Sequence, residues 1–189
     1  MIEALAVSTA AVALGEIGDK TQLLALLLAA RFRRPLPIIA GIAVATLANH
    51  AAAGAIGAWL ARVIDPLWMR WLLGGSFIAV ALWLLVPDKA DDGPRASHGR
   101  LGVFGITTVA FFLTEMGDKT QIATVMLAAR YDALAAVVLG TTAGMLVANV
   151  PAVYLGEVLV KRLPVALVHR VAAVLFAAIG VAVLAGVGL

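Results

Sequence analysis

Two short segments hold most of the polar side chains that lie inside apolar sequence. They are Glu16-Ile17-Gly18-Asp19-Lys20-Thr21-Gln22 and, ninety-nine positions later, Glu115-Met116-Gly117-Asp118-Lys119-Thr120-Gln121. Between residues 14–31 and 113–130, eleven of eighteen aligned positions are identical. Chance readily repeats Leu and Ala in apolar sequence, but not this series of polar types. The chain therefore contains an internal repeat, and each copy carries the same acids, base, amide and hydroxyl.

The four acids of the two motifs are the candidate metal ligands: Glu16, Asp19, Glu115 and Asp118. Both motifs lie in apolar runs long enough to cross a membrane, where a charge costs at least ~2.5–3.5 kcal/mol. We expect Lys20 and Lys119 to compensate part of this charge. Four carboxylates and two ammonium groups leave two negative charges, which one divalent cation or two protons would neutralise. A site that is neutral with either load suits a metal/proton exchanger.

The ligand types narrow the choice of ion. Carboxylate, amide and hydroxyl oxygens favour the hard cations Ca²⁺, Mg²⁺ and Mn²⁺, and the motifs lack the His and Cys that favour Zn²⁺ or Cu⁺. The candidate auxiliary ligands or pathway residues are Thr21, Gln22, Thr120, Gln121, Asn49, His50 and Asn149. The last three, in the second and fifth predicted spans, are equally well explained as interhelical hydrogen bonds. His98 and His169 are predicted to lie in solvated loops.

Helical spacing predicts how the first motif is arranged. In an unbroken helix, Glu16 and Asp19 share a face because they are three residues apart, and Lys20 lies on that side as well. Thr21 then points away, with its hydroxyl bonded to the Ile17 carbonyl. It reaches the acids only if the helix opens at Gly18. The second motif has the same spacing and leads to the same expectations.

The composition is that of an integral membrane protein. Of 189 residues, 63% are hydrophobic and 13% charged, and the mean hydropathy is +1.04. A soluble domain carries about twice this share of charge. The absence of cysteine excludes disulfides and thiolate metal sites. The net charge of +3 comes from basic residues at span ends, so we expect lipid, and no nucleic acid, as a partner.

We predict an all-α fold of six transmembrane helices, arranged as two inverted three-helix repeats. The spans are drawn at 4–30, 37–61, 67–86, 101–129, 133–160 and 165–188. The first repeat covers residues 1–86, a polar linker covers 87–100, and the second repeat covers 101–189. Because each repeat has an odd number of spans, the second copy enters the membrane upside down. Inverted repeats build secondary transporters, with the binding site near the midplane where the copies meet.

The distribution of basic residues predicts the orientation. One side holds nine of them: Arg31, Arg33, Arg34, Lys89, Arg95, Arg100, Lys161, Arg162 and Arg170. The other side holds three: Arg62, Arg70 and Arg130. Connections rich in Lys and Arg stay in the cytoplasm. The linker is therefore predicted to be cytoplasmic, and both termini non-cytoplasmic.

The doubled motif resembles a known family. A twin Glu-x-Gly-Asp-Lys/Arg-Thr/Ser signature on the first and fourth of six spans is similar to that of the GDT family of cation/proton exchangers, within the lysine-exporter superfamily. That family includes Golgi and chloroplast calcium/manganese transporters and small bacterial manganese exporters, and the resemblance covers essentially the whole chain. It implies export of Mn²⁺ or Ca²⁺ from the cytoplasm in exchange for protons, with the motif acids as the metal site. It also implies a bacterial inner membrane and no cofactor beyond the transported ion.

Other functions fit parts of the same pattern. An exporter of an amino acid or another small organic cation would use the acids to hold an ammonium group, but only the lysines could hold its carboxylate. A membrane scaffold without transport would use acids and lysines as an ion-pair network. An enzyme is not expected, because no nucleophile or cofactor motif is present. The spacings Gly41-x-x-x-Ala45 and Gly140-x-x-x-Gly144 predict close helix packing, within a monomer or in a homo-oligomer.

The orientation is tested by cysteine labelling, which the absence of native cysteine makes straightforward. A cysteine at Ser97 should be protected from an impermeant thiol reagent in intact cells, whereas one added at the C-terminus should be labelled. Permeabilised cells provide the control for reactivity. Labelling of Ser97→Cys from outside intact cells would overturn the assignment of sides.

Overall fold

The computed structural model describes residues 1–86, 102–155 and 165–186. Its regular elements in these ranges are eight α-helices. They are α1 (Ile2–Glu16), α2 (Lys20–Phe32), α3 (Pro35–Val63), α4 (Pro66–Leu84), α5 (Val103–Glu115), α6 (Lys119–Arg130), α7 (Leu134–Leu155) and α8 (Val165–Leu184). The predicted linker, His98 and the end of the predicted fifth span lie outside the described residues.

Four of the eight helices in the described ranges are long and apolar enough to cross a membrane. They are α3, α4, α7 and the Ala166–Leu184 part of α8, with mean hydropathies of 1.6, 1.5, 1.7 and 2.3. Pro35 and Pro66 begin α3 and α4 at the position where a missing N–H costs nothing. The Asp65 carboxylate caps α4 by accepting from the Leu67 N–H at 2.9 Å. These spans make the chain a multi-pass membrane protein.

The prediction of continuous first and fourth spans is wrong, because both are broken at the motif. α1 ends at Glu16 and α2 begins at Lys20, and α5 and α6 are separated at the equivalent positions. Gly18 has φ of 84° and Gly117 has φ of 78°, a conformation that residues with a Cβ rarely adopt. The extended residues before them, Ile17 and Met116, have ψ of 117° and 119°. Each motif is therefore a junction between two half-helices.

Helices from the two halves of the chain pack across each other. α3 lies against α5 and α6, α7 lies against α1 and α2, and α4 lies against α8. Glycines allow the close approaches: a Cβ on Gly41 would lie 2.9 Å from the Phe104 carbonyl oxygen, and one on Gly140 would lie 2.6 Å from that of Leu5. The predicted small-residue spacings thus serve packing within the monomer.

Several polar side chains are buried among the apolar core residues, and many large apolar side chains are exposed. Glu16, Asp19 and His50 have no exposed surface. The four tryptophans of the chain are all exposed: Trp59, Trp68, Trp71 and Trp83. A lipid environment accepts such an apolar exterior, and it leaves the polar interior as the place where ions can be bound.

We expect Gly117→Ala to destabilise the protein by about 1–2 kcal/mol, because alanine is strained in the left-handed conformation. Open space surrounds a Cβ at this position, so packing adds nothing to the cost. Gly75→Ala is the matched control, since its Cβ also meets open space but lies within the regular helix α4. Unfolding of the purified proteins in detergent measures both. Equal stability of the two variants would show that alanine is not strained at position 117.

Candidate metal centre

The two helix breaks lie against each other and are joined by reciprocal ion pairs. The Lys119 ammonium lies 2.7 Å from Asp19 Oδ1, and the Lys20 ammonium lies 3.4 Å from Asp118 Oδ1. Each lysine thus pairs with the aspartate of the other motif, whereas helical spacing placed it beside the glutamate of its own motif. Lys119 is 1% exposed and Lys20 27%. The lysines are placed for charge compensation, and they connect the two copies.

Three of the four predicted acids converge on one point. Glu16, Asp19 and Asp118 each offer a carboxylate oxygen, and these atoms all lie within 4.8 Å of one another. All three side chains are buried. The second oxygen of Glu16, Oε1, is buried and has no hydrogen-bond partner among the described residues. Such a group of carboxylate oxygens has the donor chemistry that hard divalent cations prefer.

Helix ends contribute to the electrostatics of this group. Asp19 and Asp118 occupy the N-cap positions of α2 and α6, where the partial positive charge of a helix N-terminus favours a carboxylate. Glu16 and Glu115 are the last residues of α1 and α5. Discontinuous membrane helices that present their ends at mid-membrane are typical of ion and substrate sites in transporters.

The glutamines of the motifs hold the breaks open. Gln22 Oε1 accepts from the Gly18 N–H at 2.9 Å, and Gln121 Oε1 accepts from the Gly117 N–H at 2.7 Å. Gln22 also donates from Nε2 to the Ala148 carbonyl at 2.9 Å, which ties the first break to α7. The amide oxygens that were candidate ligands therefore bind backbone N–H groups.

The threonines contact the acids, and the two copies do so differently. Thr21 Oγ1 donates to Glu16 Oε2, and Thr120 Oγ1 donates to Asp118 Oδ2 at 3.3 Å. The arrangement expected for an unbroken helix, with the Thr21 hydroxyl on the Ile17 carbonyl, does not apply because the helix is broken. The helix opens at Gly18, which is the condition under which Thr21 was expected to reach the site.

The fourth acid, Glu115, does not belong to the group of three. Its carboxylate accepts from Thr46 Oγ1 at 2.7 Å and from Asn49 Nδ2 at 3.1 Å, both on α3. Asn49 also donates to the Phe112 carbonyl at 3.0 Å. The sequence pointed to Asn49 but missed Thr46. Thr46 could have been found from its position three residues before Asn49, which places both side chains on one face of α3.

His50 and Asn149 are buried but make no described contact with a motif acid. The ring nitrogens of His50 have no hydrogen-bond partner among the described residues. Asn149 Nδ2 donates to the Met145 carbonyl, one turn earlier in α7, at 3.0 Å. His50 and Asn149 are ninety-nine positions apart and so are equivalent in the repeat. They do not make equivalent hydrogen bonds among the described residues.

His169 is a second residue that the sequence analysis placed incorrectly. It lies in α8, is 9% exposed, and places Nε2 at 2.8 Å from the carbonyl oxygen of Ile17 in the first break. The loop prediction was wrong because the neighbouring Pro164 and Arg170 were interpreted as a polar connection. No short-range pattern connects His169 with Ile17, which lies 152 residues away.

Comparison with known proteins identifies the family of the chain. The family model described as "Divalent cation/proton antiporter GDT1" matches residues 4–92 and 103–187. The chain belongs to this family. A protein of Vibrio cholerae serotype O1 (strain ATCC 39541 / Classical Ogawa 395 / O395), named "Putative manganese exporter", is 50% identical over 177 residues, which cover 93% of this chain and 88% of that protein. No solved structure matches the chain. The family resemblance inferred from the twin motif is confirmed.

The reciprocal ion pairs should differ in their contribution to stability. We expect Lys119→Met to cost about 3 kcal/mol, because it removes one partner of a fully buried pair. Lys20→Met, the matched change in the other motif, should cost about 1 kcal/mol or less, since that lysine is partly exposed and its pair is longer. Unfolding of the purified variants in detergent measures both. A loss for Lys20→Met as large as that for Lys119→Met would contradict this ranking.

Proposed function

We propose that the protein exports Mn²⁺ from the cytoplasm in exchange for protons. The observation that carries the proposal is the convergence of three buried carboxylates at two facing helix breaks, in a chain that belongs to a divalent cation/proton antiporter family. Manganese is favoured over calcium by the name of the Vibrio cholerae relative. The oxygen ligands themselves suit either ion.

Glu16, Asp19 and Asp118 are the proposed metal ligands, and Glu115 is a fourth acid held beside them by Thr46 and Asn49. Thr21 and Thr120 orient carboxylates, and the two glutamines shape the breaks. Lys20 and Lys119 compensate charge. His50 and Asn149 remain candidates for lining the pathway, since both are buried in helices that pack on the motifs.

Exchange follows from competition for the same carboxylates. The three converging acids and two lysines leave one negative charge, and Glu115 adds a second. One Mn²⁺ or two protons restore neutrality, and a neutral site moves between the two faces of a low-dielectric membrane at lower cost than a charged one. Metal and protons therefore occupy the site alternately.

We also propose that the chain forms six spans as two inverted repeats, 1–86 and 101–189, joined by the segment 87–100. Each pair of half-helices then counts as one span. Three observations support the symmetry: the ion pairs are reciprocal, α3 packs on α5 and α6 as α7 packs on α1 and α2, and Phe77 contacts its repeat equivalent Phe176 with ring centroids 6.1 Å apart. Residues near a two-fold axis are expected to meet their own equivalents.

The proposed location is a bacterial inner membrane, with both termini on the non-cytoplasmic side. The Tyr131 hydroxyl donates to Glu3 Oε1 at 3.2 Å, which supports placing the start of α1 and the α6–α7 connection at the same face. Near the other end of the chain, a Cβ on Gly186 would lie 3.6 Å from Arg70 Nη1. Both distances support the proposal that residues near the two ends of the chain lie at the face that carries few basic residues.

Export of an amino acid is less well supported by this geometry. Both lysines already lie beside aspartates, so the described part of the site offers no free cation for a substrate carboxylate. Carboxylate oxygens within 4.8 Å of one another leave room for one small ion rather than an organic cation. This reading also disfavours a scaffold, which needs no excess of acid over base.

Transport by purified protein tests the proposal. In proteoliposomes with an acidic lumen, Mn²⁺ uptake should be faster than in liposomes without a pH gradient, and an ionophore that dissipates the gradient should remove the difference. Radiolabelled lysine serves as the competing substrate. Proton-independent Mn²⁺ flux, or lysine uptake without Mn²⁺ uptake, would contradict the proposal.

The acids themselves should be indispensable. We expect Glu16→Gln, Asp19→Asn and Asp118→Asn each to reduce Mn²⁺ exchange by more than tenfold, because each removes a charged ligand, and Glu115→Gln to abolish proton-coupled exchange as well. Asp65→Asn, which changes an acid outside the site, is the control for expression and folding. Near-normal exchange by any two of the four motif variants, at comparable protein levels, would remove the idea of a shared site.

A further inference from the structure

The carbonyl group of Ile17 is left without its helical partner by the break in the first span. α1 ends at Glu16, and Ile17 is its extended C-cap, so this carbonyl cannot accept the N–H that a continuous helix would supply from Thr21. A backbone carbonyl without a donor is costly within a membrane. A donor from another helix would therefore stabilise the break.

His169 supplies that donor. α8 packs against α1, and His169 Nε2 lies 2.8 Å from the Ile17 oxygen. A carbonyl oxygen can only accept a hydrogen bond, so Nε2 carries the hydrogen and donates it. The contact lies one residue from Glu16 and two from Asp19, which together provide two of the three converging carboxylates.

The second motif is not supported in the same way. The repeat equivalent of His169 is Arg70, ninety-nine positions earlier, and its guanidinium lies over the ring of Trp71 at 5.8 Å. Met116, the equivalent of Ile17, is 57% exposed. The histidine contact is thus a feature of the first motif and not a consequence of the repeat.

We propose that His169 is a positioning residue for the metal site. By holding the Ile17 carbonyl, it keeps the first break open in the conformation that directs Glu16 and Asp19 toward Asp118. It does not bind the ion. The proposal rests on the proposed metal transport, but its structural part, the support of the break, is independent of it.

The test compares His169→Phe with His169→Gln. Phenylalanine keeps a ring but removes the donor, whereas glutamine offers an amide N–H. We expect His169→Phe to raise the KM for Mn²⁺ in proteoliposomes about five- to tenfold, the effect of one lost hydrogen bond, with a smaller change in maximal rate. His169→Gln should restore KM to within about threefold of wild type, since it retains most of that bond. Arg70→Gln, at the equivalent position, should leave KM unchanged.

Hydrogen exchange provides a readout that does not require transport. In His169→Phe, amide exchange should increase in a peptide covering residues 14–23 and stay as in wild type in the equivalent peptide, 113–122. A wild-type KM in His169→Phe, or a defect in His169→Gln as large as in His169→Phe, would overturn the positioning role. So would unchanged exchange in residues 14–23. Wild-type protein that does not exchange Mn²⁺ would contradict the proposed function, and hydrogen exchange would still decide the role of His169.

Discussion

The structure depends on the need to hold several carboxylates within a membrane. A carboxylate is stable there only when a nearby positive charge balances it. The two motifs balance each other: Asp19 lies beside Lys119, and Lys20 beside Asp118. Neither copy of the repeat contains both members of these pairs in a suitable geometry. The two halves of the chain must therefore meet, and the packing of α3 on α5 and α6, and of α7 on α1 and α2, brings the motifs face to face.

The helix breaks make that meeting useful for ion binding. A continuous helix hides its backbone groups and spreads its side chains around the axis, whereas a break exposes two helix ends at one depth. The left-handed glycines create the break, and the following glutamines bind its N–H groups. As a result Asp19 and Asp118 lie at helix N-termini, which favour carboxylates. Oε1 of Glu16 has no hydrogen-bond partner among the described residues, which supports the proposal that this carboxylate is a metal ligand.

The two copies have nearly the same backbone but different surroundings. Glu16 joins the two aspartates, while Glu115 is held by Thr46 and Asn49 on α3. The carbonyl of Ile17 accepts a hydrogen bond from His169, while the residue at the equivalent position, Met116, is exposed. The proposed inverted repeats would be asymmetric in any one conformation, because alternating access makes one repeat adopt the arrangement that the other leaves. The differences around the glutamates are of the kind that such an alternation would exchange.

The sequence by itself determined the class of protein and the residues that matter. Apolar runs long enough to span a bilayer predicted membrane helices. The doubled motif pointed to the family and to the four acids. Both features follow from the order of residues alone, without knowledge of how the chain folds. The sequence also named Gly18 as the position at which the helix can open, since glycine adopts the left-handed conformation without steric cost. None of these conclusions requires knowledge of which helices pack together.

Only the tertiary structure decided how the residues combine. Glu115 stands apart from the other acids, each lysine pairs with the opposite motif, and His169 contacts Ile17. These contacts join residues 66 to 152 positions apart. Helical periodicity carries no information about such distances. Periodicity alone also leaves open whether the helix breaks at Gly18, and this decides on which side Thr21 lies. The physical reason is that a break is stabilised by partners from other helices, here Ala148 and His169, which no local pattern in the motif reveals.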